Sequence, residues 1–243
     1  MVDVHTHVAP GLDDGADSIE ESLLMLERAY ESGTRQLIVT PHFLNRAQCR
    51  FEFKKADVQR AFEKLSAAKD EAGLKIELFS GAEHFGVTDI GTYIEQGQII
   101  PLAASRYVLI EFDFSDDIRR VSFVTSALKN GGFVPVIAHP ERYIFLQNEP
   151  SGAFTLLEND CLLQINKGSV LGRYGFRARE LSLWLLENHL VQLVGSDCHS
   201  PYQRTPDMSA AHEMLTYRLG SQYVERIFTG NGLRVIHNET ITV

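Results

Sequence analysis

The chain has 243 residues, 23 Lys+Arg against 32 Asp+Glu for a net charge of −9, nine His and three Cys. That length suits one α/β domain or barrel with a core large enough to need no disulfide staple, and the odd, irregularly spaced Cys49, Cys161 and Cys198 give no disulfide framework and point to a reducing compartment. The acidic balance argues against a nucleic-acid or anionic-membrane partner, whose phosphates call for Lys and Arg.

Apolar runs and helical patterns alternate from the first residue. Val2–His5 opens as a strand and runs into Asp-Val-His5-Thr-His7. Ser18–Ser32 reads as a helix: Ser18 with Glu21 forms a capping-box signal, Ile19, Leu23, Leu26 and Tyr30 keep helical spacing, and Gly33 supplies the stop. Gln36–Thr40 is a second strand ending in Thr-Pro-His42; Arg46 and Arg50 lie beyond it, in a loop read as solvated with phosphopeptide contact as the alternative. A helix over Lys54–Ala72 leads to a third strand, Lys75–Ser80, ending in Gly-Ala-Glu83-His84, and a fourth, Tyr107–Phe112, carries Glu111. The helix Phe123–Asn130 precedes a fifth strand, Phe133–Ala138, ending in His139-Pro-Glu-Arg142. The sixth, Cys161–Asn166, is followed by a helix over Arg177–Asn188 whose core face holds Leu181, Trp184, Leu185 and Leu186. Val191–Ser196 is the seventh, leading to Asp197-Cys-His199, and Pro206–Leu219 is the last helix.

Such near-continuous apolar strands suit a parallel sheet covered on both faces. Seven βα units predict an α/β barrel, closed or nearly so, with an open doubly wound sheet as the alternative. Composition is even along the chain, so residues 1–243 read as one domain. No segment reaches the ~20 apolar residues of a membrane span, and MVDVHTH lacks the basic start and apolar run of a signal peptide. A cytoplasmic protein, not inserted in a membrane, is expected.

In βα barrels the C-terminal strand ends converge on one face, where active sites sit. His5, His7, Asp14, His42, Glu83, Glu111, His139, Asp197 and His199 all fall at or just beyond such ends. His5 and His7, two apart on a strand, point to the same face. Buried acids and imidazoles need partners, and this nitrogen/oxygen mixture without thiolate suits manganese, iron or zinc. Nine ligands are too many for one tetrahedral ion and fit two or three with bridging carboxylates. The rival reading is a set of hydrogen-bonded polar groups at a barrel mouth.

The H-x-H start, Thr-Pro-His42, Gly-Ala-Glu83, His139 and Ser-Asp197-x-His199 resemble the PHP (polymerase and histidinol phosphatase) family. The Leu-Asp-Asp14-Gly15 loop, Ile-Glu111-Phe, His139-Pro-Glu-Arg142-Tyr and Asp197-x-His199-x4-Arg204 are similar to its branch of bacterial manganese-dependent protein-tyrosine phosphatases from capsule and exopolysaccharide operons. Many PHP members carry His where this chain has Asp14 and Glu111, which favours that branch over histidinol phosphatase. The resemblance implies a distorted, seven-stranded (β/α)7 TIM-like barrel holding three divalent ions. His5, His7, Glu83 and Asp197 would hold one, Glu83, Glu111 and His139 a second, and Asp14, His42 and His199 a third, with Glu83 bridging. Arg142 and Arg204 match phosphate-binding arginines. The implied substrate is phosphotyrosine on the Tyr-rich tail of an autophosphorylating bacterial kinase, and a homo-oligomer is compatible with the resemblance. A PHP-type small-molecule phosphatase such as histidinol phosphatase, or a non-catalytic kinase-binding metalloprotein, is the alternative function.

Four carboxylates against three divalent ions would leave the site at about +2, a cationic hole in an acidic chain. Cys198 to Thr205 also matches C-x5-R-[ST], the spacing of cysteine-dependent tyrosine phosphatases. Without a Gly, and with Pro201 removing an amide, that loop is a poor phosphate cradle, and the match reads as chance. His84 points away from Glu83 as a core or supporting residue, and His189, His212 and His237 read as surface groups. Asn166 reads equally as an orienting group or a satisfied strand end.

Overall fold

A computed structural model of the chain describes residues 1–44 and 53–242; Arg46, Cys49 and Arg50 lie outside them. Among the described residues the strands are β1 (Val2–Thr6), β2 (Gln36–Val39), β3 (His42–Phe43), β4 (Glu77–Ser80), β5 (Glu83–Phe85), β6 (Tyr107–Glu111), β7 (Val134–Ala138), β8 (Leu162–Asn166) and β9 (Leu193–Gly195). Every pairing is parallel, in the orders β1-β2-β4 and β3-β5-β6-β7-β8-β9. The second and third expected strands, Gln36–Thr40 and Lys75–Ser80, appear as β2 and β4, and each line continues past a two-residue break into a short further strand, β3 or β5. Pro41, which has no N–H for a ladder, breaks one, and Gly81-Ala82 breaks the other. The Glu83 amide donates to the Pro41 carbonyl at 3.0 Å and carries pairing across the gap.

The sheet curls until its last strand returns to its first. Thr6 and Cys198 form a parallel bridge, Asp197 N–H donates to the His5 carbonyl at 2.9 Å, and His7 N–H donates to the Cys198 carbonyl at 2.9 Å. The α/β barrel reading is borne out in this curled parallel sheet. No helix among the described residues is long and apolar enough to cross a membrane.

Alternate residues divide the core. Val108, Ile110, Ile137, Leu163, Ile165 and Val194 pack outward against helices, with Val121, Val124, Leu128, Leu181 and Leu185 as partners. The opposite parity, Ile38, Leu109, Val136, Leu162 and Leu193, gathers with Val2 and Val4 inside the curl. β1 breaks that alternation. Its register against β2 slips between Asp3 and Thr6, where three β1 steps face two on β2, as in a β-bulge. Val2 and Val4 can therefore fill the floor while His5 and His7 still turn to the mouth.

Helix ends follow local chemistry. The helix Ile19–Glu31 starts with Ser18 Oγ accepting from Glu21 N–H at 3.2 Å; the Glu21 carboxylate takes the amide of Asp17, not that of Ser18. Gly33 ends it at φ +99°, in the left-handed region open to glycine. The helix expected from Phe123 begins at Ile118, because Asp117 caps the Arg120 amide at 3.0 Å; the charged Arg119-Arg120 pair masks this first turn in the apolar pattern. Short helices over Ile90–Glu95, Ile144–Asn148, Gly152–Glu158, Lys167–Val170, Ser221–Glu225 and Asn231–Ile236 fill the connections. Leu181, Leu185 and Leu186 are buried and Trp184 partly so, as their spacing implied.

At the β1 slip the ladder is completed by side chains. Thr40 Oγ1 accepts from Thr6 N–H at 2.8 Å, and Thr6 Oγ1 donates to the Ile38 carbonyl at 2.8 Å. The isosteric Thr40→Val change leaves the buried Thr6 amide unpaired and should cost about 1–3 kcal/mol, the desolvation penalty of one orphaned donor. Urea unfolding checks this; an unchanged midpoint would show that the slip needs no side-chain acceptor.

Candidate metal centre

The strand breaks place the acids and imidazoles. With β2 interrupted at Pro41, His42 opens β3 and pairs in register with Glu83, the first residue of β5. Glu111 closes β6, and His139 follows β7 at once. Asp197 and His199 lie where β9 returns to β1. His139 and Asp197 both have left-handed backbones, at φ 37° and 51°. His and Asp tolerate this region better than most side chains, and the turn bends each strand exit toward the mouth. Seven of the nine candidate ligands, with Phe114, Arg142 and Arg204, line a cavity of about 230 Å³. His5 and His7 lie fully buried beneath it.

Glu83 is at the centre. Its Oε2 lies 3.2 Å from His5 Nε2, 3.3 Å from His7 Nε2 and 3.0 Å from His42 Nδ1, yet it makes no hydrogen bond of good geometry. Its Oε1 faces His139 Nε2 at 3.0 Å. Asp197 Oδ1 lies 3.6 Å from His5 Nε2 and 3.5 Å from His7 Nε2. Asp14 Oδ1 faces His42 Nε2 at 3.5 Å and His199 Nε2 at 3.3 Å, and Glu111 Oε1 lies 3.2 Å from His42 Nδ1. Among the described residues, three groups have donor atoms all within 4.8 Å of one another: His5, His7 and Glu83; His42, Glu83 and Glu111; and His7, Asp14, His42 and His199. His42 thus faces two clusters, through Nδ1 and Nε2. His139 stands at 3.8 Å from Glu111 Oε2, at the edge of the middle group.

Nitrogen lone pairs and carboxylate oxygens crowding at these distances suit cations. In the protein alone, the carboxylates draw protons onto the rings of His5, His7 and His42. Burial opposes a charge on His7, but the Asp13 and Glu83 carboxylates together outweigh it and raise the imidazole to about 9. Burial likewise opposes ionised Glu83, yet His5 and His42 hold it well below the usual carboxylate range. A divalent ion can replace those protons and leave the imidazoles neutral, the form that binds metal.

Further residues aim the ligands. Asp13, part of a turn that reads in sequence as solvated, is buried: Oδ2 accepts from His7 Nδ1 at 2.7 Å and from the His42 amide at 2.9 Å, and Oδ1 accepts from the Gly15 amide at 3.0 Å. Gly15 is required there, since a Cβ would lie 2.0 Å from the His7 carbonyl oxygen. On β8, Gln164 Oε1 pairs with His5 Nδ1 at 2.7 Å, its amide donates to Asn166 Oδ1 at 3.0 Å, and Asn166 Nδ2 donates to Asp197 Oδ2. β8 supplies no candidate ligand but ties His5 to Asp197. Its sequence signal is the pair of polar residues at period two on an otherwise apolar strand. Buried Glu141 accepts from the Asn166 amide at 3.0 Å and from Ser169 Oγ at 2.6 Å, holding that strand end. Arg204 Nη2 lies 2.6 Å and Arg142 Nη1 3.9 Å from Asp197 Oδ2.

The other polar candidates take plain roles. His84 is a satisfied core residue between the Leu109 carbonyl and the Ile100 amide, and burial lowers it to about 4. Cys198 is fully buried where it pairs with Thr6, and burial pushes its thiol up to about 12. It does not line the cavity. His189 and His237 are exposed, and His212 is partly covered against Phe228.

Comparison with known proteins agrees with this geometry. "Tyrosine-protein phosphatase CpsB" of Streptococcus pneumoniae is 30% identical over 247 residues, covering 99% of this chain and 100% of its own. A structure from work on YwqE of Bacillus subtilis and CpsB of Streptococcus pneumoniae, described as unique metal-dependent tyrosine phosphatases, matches with a TM-score of 0.92 at 30% identity, over 100% of this chain and 96% of its own. The lactonase Lmo2620 of Listeria monocytogenes shares the fold alone, with a TM-score of 0.61 at 13% identity over 98% of this chain and 95% of its own. The profile for "Capsular polysaccharide synthesis, CpsB/CapC" matches residues 1–237, and the chain belongs to that family.

Proposed function

We propose that residues 1–243 form one phosphatase domain that hydrolyses phosphotyrosine on a protein, using divalent metal ions held by His5, His7, Asp14, His42, Glu83, Glu111, His139, Asp197 and His199. The observation that carries this reading is Glu83: one buried carboxylate oxygen lies within 3.3 Å of three imidazole nitrogens, beneath a cavity with two arginines at its rim. Three ions suit the three overlapping donor groups, with Glu83 shared by two of them and His7 and His42 linking the third. Manganese is the proposed metal, and iron or zinc would fit the same donors. Metal ions in such a site supply a nucleophile from water at neutral pH and neutralise phosphoryl charge.

The chain's own residues do the rest. Arg142 and Arg204 offer planar N–H forks that match phosphate oxygens. Both are partly exposed, at 24% and 33% of the side chain, so they can meet a phosphate entering from solvent. The imidazoles of His5 and His7 are closed off from water, and their outer nitrogens are fixed by Gln164 and Asp13. Every acid and imidazole lining the cavity belongs to the candidate ligand set. Among the described residues no separate general acid then stands ready for the leaving oxygen, which favours a phenolate, whose parent pKa is about 10, over an alkoxide. The relatives' names and the family description support tyrosine as that phenol and capsule or exopolysaccharide synthesis as the setting. The proposed partner is the Tyr-rich tail of an autophosphorylating bacterial kinase in the cytoplasm.

With a phosphotyrosine peptide as substrate, a strong chelator should abolish turnover and Mn2+ should restore it, while Cys198→Ser keeps most of the activity. The opposite pattern would transfer the chemistry to the thiol. On a panel, aryl phosphates should turn over at least tenfold faster than serine phosphate or histidinol phosphate, reflecting leaving-group pKa; equal kcat/KM across the panel would overturn the tyrosine reading. Removing the charge that orients His7, by Asp13→Asn, should weaken metal affinity about 10–100-fold, as such outer partners commonly do. Calorimetric metal titration measures that directly, and unchanged affinity would remove Asp13 from the site.

A further inference from the structure

Arg142 does not owe its place to its ion pair. Among the described residues its contact with a carboxylate, Nη1 to Asp197 Oδ2, is long at 3.9 Å, whereas Arg204 meets the same oxygen at 2.6 Å. Instead the Arg142 guanidinium carbon lies over two aromatic faces, 4.2 Å from the ring centroid of Phe114 and 4.7 Å from that of Tyr174. The Arg204 guanidinium carbon is 5.8 Å from the same Tyr174 ring. The two rings come from distant parts of the chain and are themselves held in place. Phe114, in the loop after β6, accepts the Ile144 amide on its carbonyl at 2.8 Å. Its ring meets those of His139 at 5.9 Å and Tyr143 at 6.3 Å, and it lines the cavity. Tyr174 follows the short helix Lys167–Val170 and lies over Gly168, where a Cβ would come within 2.7 Å of its ring.

We propose that Phe114 and Tyr174 are positioning residues that clamp Arg142 by its faces and present its N–H edge to the phosphoryl group. The inference rests on the phosphatase reading given above and adds two residues to it. A long cationic side chain beside Asp197, Glu111 and Asp14 would otherwise fold onto those carboxylates and lose its free donors. Stacking on the rings fixes the guanidinium plane without using any of its N–H groups, because the attraction runs through the π face. The edge stays available for two phosphate oxygens. Tyr174 lies against Arg204 as well, so one ring sets the spacing of both arginines.

The test uses the metal-loaded full chain and inorganic phosphate as the probe, with a phosphotyrosine peptide in parallel. Phe114→Leu and Tyr174→Leu should each weaken phosphate binding in calorimetry by about tenfold, the scale of a desolvated cation–π contact. KM for the peptide should rise in step, and kcat should change less. In an Arg142→Ala background Phe114→Leu should add nothing, since its effect runs through that side chain, and Tyr174→Leu should keep only the part of its loss that acts through Arg204. The ring-keeping variants Phe114→Tyr and Tyr174→Phe should stay within about twofold of the parent, as cation–π attraction needs the ring and not the hydroxyl. Both rings are partly exposed, so leucine is tolerated there, and thermal melts confirm folding. Losses that multiply in full on Arg142→Ala, or ring-keeping variants as weak as the leucines, would overturn the clamp. Parent protein that binds phosphate but leaves the peptide uncut would overturn the tyrosine reading instead, while the phosphate titrations still decide the clamp.

Discussion

A buried carboxylate ringed by imidazoles governs this molecule. Glu83 Oε2 is out of water and within 3.3 Å of nitrogens from His5, His7 and His42. A charge in that position is tolerable only if opposite charge is held beside it. The sheet geometry follows from meeting that need. β2 and β4 are each interrupted so that His42 and Glu83 begin new strands in register, and β9 returns to β1 so that Asp197 faces His5 and His7. The left-handed backbone of His139 and Asp197 belongs to the same arrangement. Strain at such positions persists when the surroundings over-determine it, and here both amides are held by neighbouring strands, His139 by the Gln164 carbonyl and Asp197 by that of His5.

Charge is organised in shells around that centre. Inside are acids and imidazoles, and at His5, His7, His42, Glu83 and Asp197 the pKa shifts oppose what burial alone would give, because opposite charges lie beside each group. Outside them lie uncharged or singly charged supports, Gln164, Asn166 and Asp13, which fix ring planes. At the rim stand two arginines and two aromatic rings. A net charge of −9 is therefore no obstacle to an anionic substrate. An anion would meet the rim arginines and any cations held beneath them, and the surface average acts only at distances over which salt screens it.

Much of this was legible in the chain, for identifiable reasons. Apolar strands of parallel sheets are nearly continuous, so all seven runs were visible, and polar residues at their ends stood out against them. His5, His42, Glu83 and Asp197 needed no structure to be named. Other features were hidden by local chemistry that is ambiguous on its own. Asp13 and Asp14 are adjacent and look alike, yet one is buried against His7 and the other faces the cavity. Gln164 and Asn166 are uncharged polar residues on an apolar strand, and the partner of Gln164 is 159 positions away. Phe114 and Tyr174 carry no motif at all, and Cys198 carried a false one.

The amino-acid sequence by itself determined the class of chemistry: residue type decides which atoms can bind a cation, and strand ends decide which of them share a face. It also determined the repeated βα plan, because hydrophobic period is a local property. Tertiary structure alone decided which ligands share a neighbour, that His42 faces two groups, and that β1 slips so that valines and histidines line the same interior. It also decided that Arg142 stacks where it might have paired. These are distances between segments that meet only when the sheet closes, and no local pattern encodes a distance between residues that are far apart along the chain.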